Sequence, residues 1–298
     1  MKINICIPVY NEEENLPKFI LQLNKYIENF QYKEINLEVI FYNDGSNDKS
    51  LDILNRTKYT VLSELNNKGL GYAINKLFSY SKDTNADGVV KLDCDGQMYI
   101  NEIDLFLNVI LTKEVDLIQG NRFNVSKDFK FGFIKKIGMR IFSIIFRIIG
   151  VSVNDSTNGY IYVSKKWLQD YKIVSNYNAA QQILLDTKLR NLTIQEIDVH
   201  ITNRTRGKSF IGIKYPVNVF ASMFALSAYR KTIKLIIKPG IFVLLSALLL
   251  FLNDIFLWIR GIEDKIISNN VVLLLFFTGM QLLSIGLIIE FLKKQKII

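Results

Sequence analysis

Cysteine and histidine are nearly absent from this chain. Its 298 residues include two cysteines, Cys6 and Cys94, and one histidine, His200. So few exclude a disulfide framework and a Cys/His zinc site, and a single histidine argues against a Ser-His hydrolase triad. Both cysteines fall in apolar, strand-like surroundings, which suggests a reducing compartment. No P-loop and no G-x-S-x-G elbow occurs. The stretch "NNKGLGYAIN" carries Gly69 and Gly71, but Ile74 stands where a dinucleotide fingerprint needs its third glycine, and the stretch follows a third strand rather than a first. Zinc-finger, RNA-recognition and basic-zipper signatures are also missing, so nucleic acid is not an expected partner despite a net charge of +9. The opening "MKINICIPVY" is too short and too soon interrupted to read as a signal peptide.

What is present is apolar residue, 49% of the chain, concentrated after about residue 235. The segments 240–259 and 271–292 are each long enough to span a membrane, although Asn253 and Asp254 interrupt the first. Arg230, Lys231, Lys234 and Lys238 precede the first, and Lys293, Lys294 and Lys296 follow the second, while the connecting loop is nearly charge-balanced. The positive-inside rule then predicts a multi-pass protein of the cytoplasmic membrane, with both ends and the large N-terminal part on the cytoplasmic side. The expected division is 1–212, a soluble domain; 213–238, an amphipathic juxtamembrane segment; and 239–298, a transmembrane hairpin. Within the first part, about 132–149 sets Lys136, Arg140, Ser143 and Arg147 on one helical face against a wide apolar remainder, the pattern of a helix lying in a membrane interface.

The first 120 residues alternate strand and helix patterns, which predicts an α/β fold with a wound, mostly parallel sheet flanked by helices. The first helix is expected to start near Asn11, with Asn11 as N-cap and Glu14 completing a capping box. In such sheets ligands bind beyond the carboxyl ends of the strands. Strand one ends in Pro8, Tyr10 and Asn11, strand two in Asn43 and Asp44, and strand four in Asp93, Asp95 and Gln97. Three polar clusters should therefore meet at one edge. Two carboxylates at i and i+2 with an amide at i+4 can offer hard oxygen ligands to magnesium or manganese, the ions that neutralise a diphosphate.

"IPVYNEEENL", "FYNDGSNDKS", "NNKGLGYAIN", "KLDCDGQM", "GNRF", "DSTNGYIYVS" and "RTRGKSF" occur in this order between about residues 2 and 210. In this the chain resembles the family 2 glycosyltransferases, most of all the branch containing dolichol-phosphate mannose synthase and bacterial polyprenyl-phosphate glycosyltransferases. The resemblance implies a GT-A fold and inverting transfer of a hexose from a nucleotide-diphosphate sugar to polyprenyl or dolichyl phosphate, for cell-envelope glycan synthesis or modification. It implies that Pro8, Tyr10, Asn11, Glu12 and Asp44 bind the nucleotide. Asp93, Asp95 and Gln97 would form the metal and diphosphate cluster, and Arg122 would face sugar or phosphate. Asp155 would orient the acceptor or act as base, and Arg204, with Gly207 and Ser209, would face phosphate. Arg140, Arg147 and Lys208 are candidates for the lipid phosphate. A homo-oligomer is a further partner in keeping with the resemblance. The chain departs from the family pattern at Asn43, Gln182 and Phe210, which leaves base and sugar choice open. Two other activities stay open: transfer to a hydroxyl of a lipid-linked glycan, and an inactive membrane scaffold.

Overall fold

The structure is a computed structural model that describes residues 1–125, 143–144, 146–147, 150–176, 178–202, 215–262 and 270–294. The chain divides into two compact units, Met1–Leu226 and Ser227–Ile298.

The first unit is built on β1 (Lys2–Val9), β2 (Asn36–Asp44), β3 (Thr60–Glu64), β4 (Gly88–Lys91), β5 (Leu117–Asn121), β6 (Ile161–Ser164) and β7 (Ile194–Asp198). Among the described residues they form one sheet in the order β3-β2-β1-β4-β6-β5-β7. Strand β1 is buried on both faces. Ile3, Ile5, Ile7 and Val9 pack on the side of α1 (Leu16–Glu28), while Asn4 and Cys6 meet Leu77 and Ser81 of α3 (Leu70–Asp83). A central strand with helices on both faces reads as a continuous apolar run, as this one does. Between β2 and β3 lies α2 (Ser50–Leu54), and α4 (Ile103–Thr112) precedes β5. After β6 come α5 (Lys165–Gln169) and α6 (Ala179–Leu189).

The sheet is mostly parallel, with one inversion that the strand-helix alternation did not predict. Strand β6 runs antiparallel between β4 and β5, with Ile161 opposite both Lys91 and Gln119. Its direction brings the start of β6, not its end, to the carboxyl edge of β4 and β5. The segment Asp155–Tyr160 is thereby delivered to the ligand edge. Strand β7 is parallel to β5, so its end at Asp198 arrives at the same edge.

The expected first-helix cap is corrected. Helix α1 starts at Leu16 with Asn15 as N-cap and Pro17 in its first turn, where proline's missing N–H costs nothing. Asn11 lies in the left-handed region at φ 53, outside the helix, and its Oδ1 accepts the Asn47 N–H at 2.8 Å instead.

Helix α7 (Tyr215–Arg230) places Val219, Met223 and Leu226 in the core of the first unit, and Asn178 Nδ2 donates to Ser222 Oγ at 2.9 Å. The second unit contains a π-helical turn (Ile233–Ile237), α8 (Lys238–Ile259) and α9 (Asn270–Lys294). Ile233–Ile259 and Asn270–Lys294 have mean hydropathies of 2.5 and 2.3 and are long enough to cross a membrane. The two helices approach through glycine: a Cβ at Gly279 would lie 2.6 Å from Leu244 Cγ and 3.1 Å from the Gly240 carbonyl oxygen. Small residues at such contacts are how apolar helices pack where lipid removes the hydrophobic drive between them.

Candidate active site

Three strand ends predicted to converge do so. Parallel pairing of β1 with β2 and with β4 puts Val9 beside Asn43 and Cys6 beside Lys91. The loops leaving β1 and β2 are then stitched together by side chains. Asn11 N–H donates to Ser46 Oγ (3.0 Å), Glu12 N–H to Ser50 Oγ (2.9 Å) and Glu13 N–H to Asp48 Oδ2 (3.0 Å), while Glu13 Oε2 accepts the Lys49 N–H (3.0 Å). Backbone groups that leave a sheet need partners, and here short polar side chains of the opposite loop supply them. The Pro8 carbonyl oxygen accepts the Cys94 thiol at 3.7 Å, joining the β1 exit to the turn after β4. Burial, then the nearby Glu12, Asp93 and Asp95 charges, push the Cys94 thiol well above its ordinary range. It is a packing residue rather than a thiolate ligand. Tyr10 sits half-buried at the β1 exit.

Asp44 turns inward. It is 3% exposed, and its carboxylate accepts the Lys68 N–H at 2.9 Å and the Gly69 N–H at 2.8 Å, which fixes the loop entering α3. That loop is clasped from its other side: Asn176 accepts the Gly71 N–H through its carbonyl at 3.2 Å. Gln182 in turn holds the 173–176 stretch, its Oε1 accepting from Val174 N–H (2.8 Å) and Ser175 N–H (3.1 Å) and its Nε2 donating to Ser175 O (3.0 Å). A glutamate at 182 could not make the last of these bonds. Asn43 Nδ2 donates to Ser63 Oγ at 3.0 Å.

The turn after β4 carries Asp93, Asp95 and Gln97. Buried Lys91, its side chain 3% exposed, donates to Asp93 Oδ1 at 2.5 Å. Gly159, at the start of the inverted β6, closes over this pair: a Cβ there would sit 2.8 Å from Lys91 Nζ and 3.0 Å from Asp93 Oδ2. No residue but glycine fits without displacing the pair. Asp95 Oδ1 accepts the Gln97 N–H at 3.1 Å, a local turn, and Gln97 Nε2 donates to the Thr202 carbonyl at 3.1 Å. Met98 bridges Ile201, so the carboxylate turn is pinned to the stretch that follows β7. Glu102 adds a second pin, accepting the His200 N–H at 2.7 Å.

Among the described residues no three His, Cys, Asp or Glu side chains cluster as a complete metal cage. The donor set here, two carboxylates and an amide two residues apart each, suits magnesium or manganese, which take hard oxygen ligands and complete their shell with water and substrate phosphate.

Arg122 and Asp155 come together. Arg122 Nε and Nη2 donate to Asp155 Oδ2 (2.6 Å) and Oδ1 (3.0 Å), and Nη2 also reaches Thr157 Oγ1 (2.7 Å). Thr157 donates to Asp155 Oδ1 through both its N–H (3.2 Å) and its hydroxyl (3.0 Å). The Asp155 side chain is fully buried and that of Arg122 is 14% exposed. This bidentate geometry is the strong, orienting form of the ion pair. Asn158, next in line, donates to the Gly120 carbonyl at 3.0 Å and accepts the Tyr160 N–H at 3.1 Å, locking the segment onto β5.

Arg147 points its Nη2 to Asn154 Oδ1 at 2.6 Å, and its neighbour Phe146 is fully buried in the core. Arg140, Arg204 and Lys208 lie outside the described residues, as do Gly207, Ser209 and most of the expected interface helix. Glu196, on β7, was not singled out from the sequence, although it accepts the N–H groups of both Asn154 and Asp155. Its only sequence signal is an acidic residue inside an apolar strand pattern, "TIQEIDV".

The model of glycosyl transferase family 2 matches residues 4–172. Over 216 residues the chain is 26% identical to a dolichyl-phosphate beta-glucosyltransferase of Trichomonas vaginalis, covering 66% of this chain and 64% of that protein. Over 102 residues it is 34% identical to the bactoprenol glucosyl transferase of Shigella phage SfX, covering 33% of this chain and 32% of the phage protein. The chain thus spans less than two thirds of either relative's length. Among solved structures, glucosyl-3-phosphoglycerate synthase from Mycobacterium tuberculosis, crystallised with Mn2+, UDP and glucosyl-3-phosphoglycerate, superposes with a TM-score of 0.57 at 18% identity, covering 77% of this chain and 79% of that one. The same enzyme with Mg2+ and UDP gives 0.58 at 17% identity, covering 77% and 79%. These likenesses show a GT-A fold.

Proposed function

The chain belongs to glycosyl transferase family 2, and from that premise we propose that it transfers a hexose, with inversion, from a nucleotide-diphosphate sugar to polyprenyl phosphate at the cytoplasmic membrane face. The relatives named for dolichyl-phosphate and bactoprenol transfer support the acceptor class, and the two apolar helices supply a reason for a lipid substrate to be within reach.

One observation carries the choice of a phosphate acceptor. Asp155, the carboxylate that the family resemblance offers as a base, has both oxygens already held by Arg122 and Thr157. A hydroxyl acceptor must lose its proton as it attacks, and a positioned base with a matched pKa does that work. A phosphate monoester, with a second pKa of about 6, is largely ionised near neutrality and needs no such base. A carboxylate held on both oxygens is adequate for the second reaction and poor for the first.

In this reading the stitched loops of β1 and β2, with Pro8, Tyr10, Asn11, Glu12 and Asp44, bind the nucleoside, and Asp44 also holds the loop that enters α3. Asp93, Asp95 and Gln97 would hold a divalent cation. That ion, when bound, supplies positive charge to the diphosphate leaving group. Lys91 fixes Asp93 so that the carboxylate does not have to reorient. Asp155 fixes Arg122 toward the sugar or acceptor phosphate, an electrostatic role that depends on orientation fixed before the substrate arrives. Arg204 is assigned to the leaving diphosphate, and Arg140, Arg147 and Lys208 to the lipid phosphate at membrane depth.

The test is extraction. Membranes containing the protein are incubated with labelled UDP- and GDP-hexoses and magnesium or manganese, then partitioned into organic solvent. Acid-labile label in the organic phase, absent with Asp95→Asn, is the expected result. Label that stays aqueous with every donor overturns the reading.

A further inference from the structure

The geometry points to Glu196 as the positioning residue that holds the Asp155–Arg122 pair in register and couples it to the segment around Arg147. The inference rests on the reading of that pair as part of the transfer site.

Glu196 sits in β7 with Gln119 of β5 as its ladder partner. Its Oε1 accepts two successive backbone N–H groups, those of Asn154 at 2.7 Å and Asp155 at 2.9 Å, and its Oε2 accepts Asn154 Nδ2 at 2.8 Å. These two backbone groups lie before β6, outside any ladder, where their hydrogen bonds must come from side chains or solvent. A carboxylate accepting both is a charge-assisted clamp on the peptide unit that carries Asp155.

Asn154 extends the clamp. Its Oδ1 accepts Arg147 Nη2 at 2.6 Å and its carbonyl accepts Ser143 Oγ at 2.6 Å. A continuous set of contacts therefore runs from Ser143 and Arg147, through Asn154 and Glu196, to Asp155 and Arg122. Two carboxylates, Glu196 and Asp155, are held as neighbours along it. Burial and then the Asp155 charge push the Glu196 carboxyl upward from its ordinary range, against the pull of its three donors. An amide or a hydroxyl would satisfy the same backbone at less electrostatic cost. The carboxylate adds a rigid three-point hold that fixes where the Asp155 backbone, and so the guanidinium it orients, can sit. A shift of Ser143 or Arg147 would be passed along it to Arg122.

The test uses the full chain in liposomes, with Glu196→Ala, Glu196→Gln and Arg122→Gln, each assayed at a temperature where it is folded. Glu196→Ala should lower kcat by about 30- to 100-fold with donor KM changed less than about twofold, the effect of a misplaced but still present group. Glu196→Gln keeps an oxygen for the two amides but turns an NH2 toward Asn154, and should recover most of the loss. Combined with Arg122→Gln, Glu196→Ala should add little, because both act through one contact. Hydrogen exchange at the amides of 154 and 155 should quicken by about tenfold or more in Glu196→Ala while the β1–β4 ladder stays protected. Unchanged exchange and unchanged kcat, or losses that multiply with Arg122→Gln, overturn the inference. Arg122→Gln with full turnover would instead overturn the reading of the pair itself, while exchange still reports whether Glu196 holds it.

Discussion

The two units of this chain handle apolar surface in opposite ways. In Met1–Leu226 the largest apolar side chains form a core: Trp167, Tyr160, Phe41, Phe78 and Phe106 are fully buried. In Ser227–Ile298 many of the described ones face outward: Phe242, Leu249 and Phe277 are each more than 60% exposed. Buried polar groups differ as well. The first unit buries Asp155 against Arg122 and Lys91 against Asp93, and holds Asp44 through backbone N–H groups. The second buries Asp254 and, at the helix contact, glycine. A soluble protein rarely exposes apolar patches of this extent unless something covers them. The difference is that one unit closes around much of its apolar surface, while the other turns it outward on two helices long and apolar enough to cross a membrane.

Removing a charge should therefore harm the first unit most, and adding bulk should harm the second. The largest expected effect is Arg122→Gln, which leaves buried Asp155 without its guanidinium and should destabilise the first unit by about 3–5 kcal/mol in urea unfolding. Next is Asp95→Asn, which should lower transfer by about 100-fold or more while moving the urea midpoint far less than Arg122→Gln does, since an amide keeps the oxygen that accepts the Gln97 N–H. Smaller again is Gly279→Leu. Its side chain would enter the space of Leu244 and should weaken the hairpin by about 2 kcal/mol, read as faster proteolysis of 227–298 in liposomes, while the urea midpoint of the first unit does not move. The smallest is a pH effect at Asp116. Burial raises this carboxyl, but donation from the Thr193 N–H and hydroxyl, the Lys166 charge and Ser164 outweigh it, so the folded value lies below the ordinary one. A depressed carboxyl contributes stability above its unfolded pKa of about 3.9 and loses it as pH falls through the folded value. Asp116→Asn should thus be about 1 kcal/mol less stable than the parent at pH 7, with the gap closing at the acid end of the range.

Much of this was legible in the sequence because it is local. The strand-helix alternation, the three polar strand ends and the two apolar spans are each contained in a short window, and the fold has them where they were expected. The rest depends on contacts between distant residues. The antiparallel sense of β6 cannot be read from "YIYVS", which suits either direction, yet it decides that Asp155 and Gly159 reach the ligand edge. The pairing of Arg122 with Asp155 joins residues 33 apart, and Glu196 reaches back 41 to Asp155. No local pattern announces either. The capping box failed for a local reason that was visible: Pro17 favours a helix starting beside it, and Asn11 found a better partner in the loop after β2.

The most direct measurement is acceptor choice. The purified full chain in liposomes is given the labelled nucleotide hexose that supports transfer, with polyprenyl phosphate, polyprenol or a hydroxyl-bearing lipid-linked glycan, and the lipid products are weighed by mass spectrometry. Addition of one hexose to polyprenyl phosphate alone, released by mild acid, is the predicted result. Transfer to the glycan hydroxyl with polyprenyl phosphate left unmodified would contradict it, and would require of Asp155 the proton transfer that its bonds to Arg122 and Thr157 oppose.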